Sequence, residues 1–350
     1  MSVLVNCQSY KNFVKEVCLA AGLREESAEI TSTVLVENDK MGIFTHGTFR
    51  LNIYIKKIRA GGINPCAIPK IQSEGPTWAI MDADTAIGMV SGWKAMELAI
   101  KKAEKLGMSY VGISNSSHFG TCAYYALMAA HRSMMSIVTS NTIKLMAAPG
   151  SKTAVVGNSP IAYALPAKKH YPVFLDVATS STNYTKVIQA IEAGQRIPEG
   201  WIIDSDGKPT TDPNTPGHTL LPFAGHKGYG FAVLAEALSG VLANGAILSE
   251  VCQNGMELLS EPFKVSHAFI VINAKLMLGE DIINQRMDKM IDEIINSPKA
   301  VGSDRIYMPG EIELERSAKA EIEGISLPDS TVSNMKTVAK LLGVDISILK

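Results

Sequence analysis

No G-x-G-x-x-G follows a strand-like run anywhere in the 350 residues, so the usual fingerprint of a Rossmann dinucleotide site is missing. There is also no G-x-S-x-G elbow, no H-E-x-x-H, and no G-x-x-x-x-G-K followed by Ser or Thr. The five cysteines (Cys7, Cys18, Cys66, Cys122, Cys252) are odd in number and contain no C-x-x-C. Neither a disulfide framework nor a thiolate metal site is therefore suggested, and no metal is expected. Neither sign of charge is in excess, with 33 basic residues against 34 acidic ones and no long run of either. That balance argues against nucleic acid or an anionic membrane as the main partner and in favour of a small molecule. No stretch approaches about 20 uninterrupted apolar residues, and the start, MSVLVNCQSYKNF, lacks a basic segment leading into an apolar run. The expectation is a cytoplasmic protein in a reducing compartment, long enough for two domains.

What is present centres on Met108 to Gly120, MSYVGISNSSHFG. An apolar run with Tyr110, Val111 and Ile113 reads as a buried strand, and it stops in a polar turn, Asn115-Ser116-Ser117, that ends on His118 and Gly120. In an α/β sheet ligands collect where strands end, and a histidine there can trade protons near neutral pH. The competing reading is that His118 caps a helix or satisfies a buried backbone group.

Residues 9–62 read as three helices. Ser9 can cap the first, which ends near Gly22, and Glu25 to Met41 is the second, before Gly42. Thr45 is read as the N-cap of the third, whose apolar face is Leu51, Tyr54, Ile55 and Ile58 before Gly61-Gly62. His46 and Arg50, four apart at the start of that helix, would point the same way near its positive end and could meet an anion. A first-turn histidine beside a solvated arginine is the alternative.

From Thr77 strands and helices alternate: Trp78 to Met81 as strand, Gly88 to Leu106 as amphipathic helix, the strand before His118, helix Thr121 to Arg132, and strand Met134 to Thr139. Parallel pairing of the last two strands is the natural expectation, with a second polar exit at Ser140-Asn141-Thr142. Ile161 to Leu165 and Val173 to Leu175 follow as strands, the latter running into Asp176-Val177-Ala178-Thr179-Ser180-Ser181. Pro198 to Pro222 reads as a turn-rich surface loop. GHKGYG (225–230) opens an apolar helix, and Lys227 beside a helix N-terminus suits phosphate. His267 to Asn273 is one more strand, Asp281 to Asn296 a helix, Tyr307 to Glu311 a turn able to present backbone to a ligand, and Thr331 to Leu342 a final helix.

Six blocks, GIFTHGTFR (42–50), GISNSSHFG (112–120), GNSPIAYALP (157–166), LDVATSS (175–181), GHKGYG (225–230) and MPGE (308–311), together resemble the ordered signature of the malate/L-lactate dehydrogenase family of the non-Rossmann type. That family includes ureidoglycolate dehydrogenase, sulfolactate dehydrogenase, 2,3-diketogulonate reductase and piperideine-2-carboxylate reductase. The resemblance implies an α/β fold in two domains, a helical one from residues 1–75 with 312–350 and a central α/β one, 76–311, that binds NAD or NADP. It also implies a homodimer. His118 matches the proton donor of the ureidoglycolate and malate branch, His46 that of the diketogulonate branch, and Arg50 an arginine suited to a substrate carboxylate. Thr142, Asp176, Val177, Ala178, Lys227, Pro309, Gly310 and Glu311 fall on positions expected to contact the dinucleotide. The chain departs from the family at Thr45 (usually Ser), Ser159 (often Asn) and Thr185 (commonly Gly before Lys186). The implied activity is hydride transfer between the nicotinamide and a small 2-hydroxy or 2-oxo acid, with malate and oxaloacetate foremost. A ureido acid or cyclic imine is the alternative substrate, and a non-catalytic metabolite sensor the alternative of another class.

Overall fold

The computed structural model describes residues 3–252 and 257–350, so residues 1–2, where the expected helical domain begins, lie outside the described residues. The first strand, β1 (Val3–Val5), is followed by α1 (Cys7–Ala20), α2 (Glu25–Lys40) and α3 (Leu51–Ala60). The cap of α1 is Asn6, whose side chain accepts from the Ser9 N–H, so Ser9 is inside the helix rather than before it. Between α2 and α3 the chain makes two 3₁₀ turns, Phe44–His46 and Thr48–Arg50, in place of the expected α-helix capped by Thr45. Gly47, at φ −93° and ψ −147°, separates them and breaks the helical run.

Next come β2 (Lys70–Glu74), β3 (Trp78–Asp82), α4 (Gly88–Leu106), β4 (Met108–Ser116), α5 (Cys122–Ala130), β5 (Met135–Ser140), β6 (Lys144–Ala147), β7 (Ala154–Gly157), β8 (Ile161–Leu165) and β9 (Val173–Val177). They are followed by α6 (Tyr184–Glu192), β10 (Ile202–Ile203), β11 (Pro209–Thr210), β12 (Thr219–Leu220), α7 (His226–Glu236), β13 (Val265–Ile272), α8 (Ala274–Leu278), α9 (Glu280–Ile295), α10 (Glu311–Glu323), β14 (Ile325–Leu327) and α11 (Asp329–Leu342). The fold is mixed α/β, as expected. Its main sheet has the order β2-β3-β4-β13-β5-β8-β9.

The expected parallel pairing of β4 with β5 does not form. β13 inserts between them and runs antiparallel to both. Its run of Val, Ala, Phe and Ile is buried on both faces over most of its length, which suits it to the middle of the sheet. A second sheet, β11-β10-β12-β6-β7, takes up three two-residue strands from the segment expected to be a plain surface loop between Pro198 and Pro222. β1 pairs with β14, tying the start of the chain to the segment before α11.

One continuous apolar core joins the helices (Tyr10, Val14, Leu35, Ile55, Met335) to the main sheet (Val111, Ile113, Val138, Phe269). A separate cluster, Met146, Val156, Val187, Ile202, Leu220 and Ala232, holds the second sheet to α6 and α7. Among the described residues no helix is long and apolar enough to cross a membrane, and no group of three or more His, Cys, Asp or Glu could hold a metal ion.

Candidate active site

β4 carries its apolar side chains into the core and delivers the chain to a turn at Ser117-His118. The first residue of α4 lies hard against that turn. A Cβ on Gly88 would sit 2.3 Å from the His118 carbonyl oxygen and 2.4 Å from that of Ser117, and the Gly88 N–H donates to the Ser117 hydroxyl at 2.8 Å. The turn is thus placed from below by a glycine that allows backbone to meet backbone. Beyond it, the Thr121 hydroxyl caps α5.

Three elements converge on the His118 ring. From α3, the Tyr54 hydroxyl reaches Nδ1 at 2.5 Å, and the Gly120 backbone nitrogen lies 3.4 Å from the same atom. Nδ1 is therefore engaged, and Nε2 is the nitrogen left for a ligand. From the 3₁₀ turns, the His46 ring lies 5.3 Å from that of His118, centroid to centroid. Thr45 Oγ1 bonds to His46 Nδ1 at 2.9 Å, which keeps the hydroxyl useful although it caps no helix. Arg50 Nε donates to the Thr45 carbonyl at 2.8 Å, and among the described residues its guanidinium forms no ion pair with a carboxylate.

Burial sets the charge states here. It pushes His46 down to about 4, with the Arg50 guanidinium adding to the effect. His118 is held well below the usual imidazole range by burial first, then by the cost of placing a further positive charge beside His46, Arg50 and His267. Both rings are neutral at pH 7, while burial pushes the Tyr54 phenol up and keeps its proton on. A pair of neutral imidazoles beside an arginine is an arrangement for exchanging a proton with an anionic substrate.

The remaining sequence-derived residues gather along β9 and its exit. Asp176 and Val177 are in the strand itself and Ala178 just past it. The Asp176 carboxylate accepts the Ala123 N–H at 2.8 Å, so it serves the N-terminus of α5, and burial pushes it up to about 6 against that hydrogen bond. Thr179 N–H donates to the Asn158 carbonyl, and the Thr142 hydroxyl reaches the Asn158 side chain at 3.3 Å. Gly228, in the first turn of α7, packs on the Thr179 carbonyl, with Lys227 exposed beside it. The Pro309 carbonyl accepts from Phe174 N–H, and the Phe174 ring lies against Gly310, at the start of α10. The Glu311 carboxylate is engaged by Arg305 and by the Met308 N–H. Val177, Thr142, Lys227 and the 309–311 turn thus share one neighbour, β9 and its exit, whereas His46, His118 and Arg50 form a separate cluster joined to it through Asp176 and α5. Buried hydroxyls without partners at Ser159, Thr179 and Thr182 line the same exit, donors and acceptors that fit a polar dinucleotide.

Four residues of this region were not singled out from the sequence. Tyr54 registers there only as one member of an apolar face, and Asn38, Asp39 and His267 only as members of a helix or strand. Their signal is a polar group inside an otherwise apolar period, which becomes meaningful once its partner is visible.

The family model described as malate/L-lactate dehydrogenase matches residues 5–336. The chain is 37% identical over 345 residues to the L-sulfolactate dehydrogenase of Methanocaldococcus jannaschii, covering 98% of each chain, and superposes on the solved sulfolactate dehydrogenase from that organism with a TM-score of 0.91, at 36% identity and 98% coverage of both chains. It is also 37% identical to the malate dehydrogenase of Pyrococcus abyssi (95% and 93% covered) and 31% identical to the NAD(+) ureidoglycolate dehydrogenase of Escherichia coli K12 (93% of each).

Proposed function

The chain belongs to the malate/L-lactate dehydrogenase family, and from that premise we propose that it interconverts malate and oxaloacetate, with His118 as the proton-exchanging group and Arg50 as the clamp for the carboxylate. At the coarser level it is a 2-hydroxy acid dehydrogenase using NAD or NADP. The observation that carries the finer reading is the convergence of Tyr54 and His46 on His118 beside an arginine free of any carboxylate partner among the described residues.

The chemistry that a nicotinamide held along β9 would supply is acceptance or donation of a hydride at the substrate carbon. In the oxidative direction His118, neutral in the free site, takes the hydroxyl proton at Nε2. For Nε2 to act as the base the proton of the neutral ring must sit on Nδ1, donated to the Tyr54 oxygen, so that taking the substrate proton gives the imidazolium. A carboxylate held by Arg50 cancels the charge that helps depress His118, so substrate binding raises the basicity of the ring when a proton must be taken. The two terminal nitrogens of the guanidinium suit bidentate contact and fix the face of the carbonyl. His46, its Nδ1 engaged by Thr45, offers Nε2 to the same substrate. Thr142, Asp176, Val177, Ala178, Lys227, Pro309, Gly310 and Glu311 are proposed to flank the dinucleotide along the β9 exit, with Lys227 facing phosphate.

A sulfonate in place of the distal carboxylate is the second reading, favoured by the equal identity to the sulfolactate enzyme. Absorbance of NADH and NADPH against oxaloacetate, sulfopyruvate, pyruvate and a cyclic imine separates the two readings. On the substrate that turns over, His118→Ala is expected to lower kcat by roughly 10²- to 10⁴-fold with cofactor affinity intact. Near-normal turnover in both His118→Ala and His46→Ala would overturn the assignment. We further propose a cytoplasmic homodimer. The free state of all five cysteines supports the compartment, and the exposed Phe231, Leu234, Val241 and Leu242 on and just after α7 support the pairing. Sedimentation at micromolar concentration is expected to return twice the chain mass, and a monomer there would refute it.

A further inference from the structure

Two consecutive side chains at the end of α2 are polar, almost completely buried, and play no part in the chemistry above. Asn38 is 0% and Asp39 1% exposed. Burial of such groups costs free energy unless they find partners, and these partners are specific. Asn38 uses both ends of its amide. Nδ2 donates to the His46 carbonyl at 3.0 Å, and Oδ1 accepts from the Thr121 hydroxyl at 2.7 Å, three residues past His118. Gly120 packs so closely that a Cβ there would stand 2.8 Å from Asn38 Nδ2.

Asp39 grips the same loop at Thr48, two residues past His46. Its Oδ2 accepts both the Thr48 N–H, at 3.2 Å, and the Thr48 hydroxyl, at 2.6 Å, and the Tyr10 phenol closes the chain on Thr48 Oγ1 at 2.7 Å. A Cβ on Gly47 would lie 1.9 Å from Asp39 Oδ1, so the loop passes directly over the carboxylate. The loop held in this way is the one that carries His46 and Arg50, and the amide beside it also holds the turn that carries His118.

We propose that Asn38 and Asp39 are positioning residues: from one helix end they clamp the His46–Arg50 loop against the His118 turn and so set the 5.3 Å spacing of the two imidazoles. The inference rests on the roles given above to His118 and Arg50. A core of equal volume without these hydrogen bonds would fill the same space and leave the two loops free to slide past each other.

The test is an NMR titration of the imidazoles in full-length protein labelled at histidine, for wild type, Asn38→Ala, Asp39→Ala, Asp39→Asn and Thr48→Val, with oxaloacetate kinetics and NADH affinity measured alongside. In Asn38→Ala and Asp39→Ala the midpoint of His46 is expected to climb from about 4 toward the ordinary imidazole value by roughly one unit or more as water enters. KM for oxaloacetate is expected to rise about tenfold with NADH affinity unchanged. Asp39→Asn keeps an accepting oxygen and is expected to restore most of both. Thr48→Val removes only one hydroxyl and carries the test if an alanine variant does not fold; it should give the same shift in smaller measure. A folded Asn38→Ala or Thr48→Val with the His46 midpoint unmoved overturns the clamp. If the midpoints move but Arg50→Ala leaves the oxaloacetate KM unaltered, the clamp stands and the carboxylate role of Arg50 falls.

Discussion

The Tyr54 hydroxyl, 2.5 Å from His118 Nδ1, decides which face of the imidazole meets the substrate. Tyr54→Phe keeps the ring and its packing against His118 and removes only the oxygen. The expected result is a fall in kcat of about tenfold with NADH affinity unaltered, read by steady-state rates and a fluorescence titration. Unchanged kcat would take Tyr54 out of the mechanism. At this scale the sequence was readable where a residue stood out from its surroundings: His118 ends an apolar strand, and His46 and Arg50 lie four apart beside glycine. Tyr54 was not, because it falls in register with Leu51, Ile55 and Ile58, and a period reports which side is buried but not what the polar tip of a side chain touches. Asn38 and Asp39 were hidden in the same way inside α2. Their partners, Thr48, His46 and Thr121, are brought to them by the fold.

At the scale of elements, long amphipathic helices were legible and pairing was not. α4 and α11 lie close to where their apolar spacing puts them, since each must bury one stripe. The order of the main sheet could not be read locally. β13 enters between β4 and β5 from residue 265, and nothing in β4-α5-β5 announces that a later strand will separate them. Strands of two residues, such as β10, β11 and β12, are too short for alternation to register and exist only by pairing with β6 and with one another. The 3₁₀ turns at 44–50 have a similar origin. An isolated reading favours a capped helix there, but the grip of Asn38 and Asp39 on residues 46 and 48 holds the backbone in tighter turns.

At the scale of the whole molecule, His267 shows how the proton-exchanging end and the proposed cofactor end are held in one frame. It sits in β13, fully buried, with Nδ1 2.9 Å from the Ser140 hydroxyl at the end of β5 and Nε2 2.9 Å from the Ser116 hydroxyl at the end of β4. Its ring stacks on Phe119, next to His118, at 3.9 Å. Burial pushes its pKa down to about 3, so it is neutral in the folded protein throughout the working range. The unfolded chain, with an ordinary value near 6.5, binds a proton that the folded chain refuses between those two values. The contribution of the neutral ring is therefore full above about pH 6.5 and is lost as pH falls toward 3, by about 1.4 kcal/mol per pH unit. His267→Gln removes this linkage while keeping a donor and an acceptor. At pH 7.5 the variant is expected to be less stable than wild type by about 1–3 kcal/mol, the cost of imperfectly met serine hydroxyls. Denaturant midpoints at pH 7.5, 6.0 and 5.0 should then show the gap closing with acid, because wild type loses stability that the variant never had. Parallel curves across that range would mean that His267 is not held neutral, and that the sheet centre joining the two halves of the site is wetter than its burial indicates.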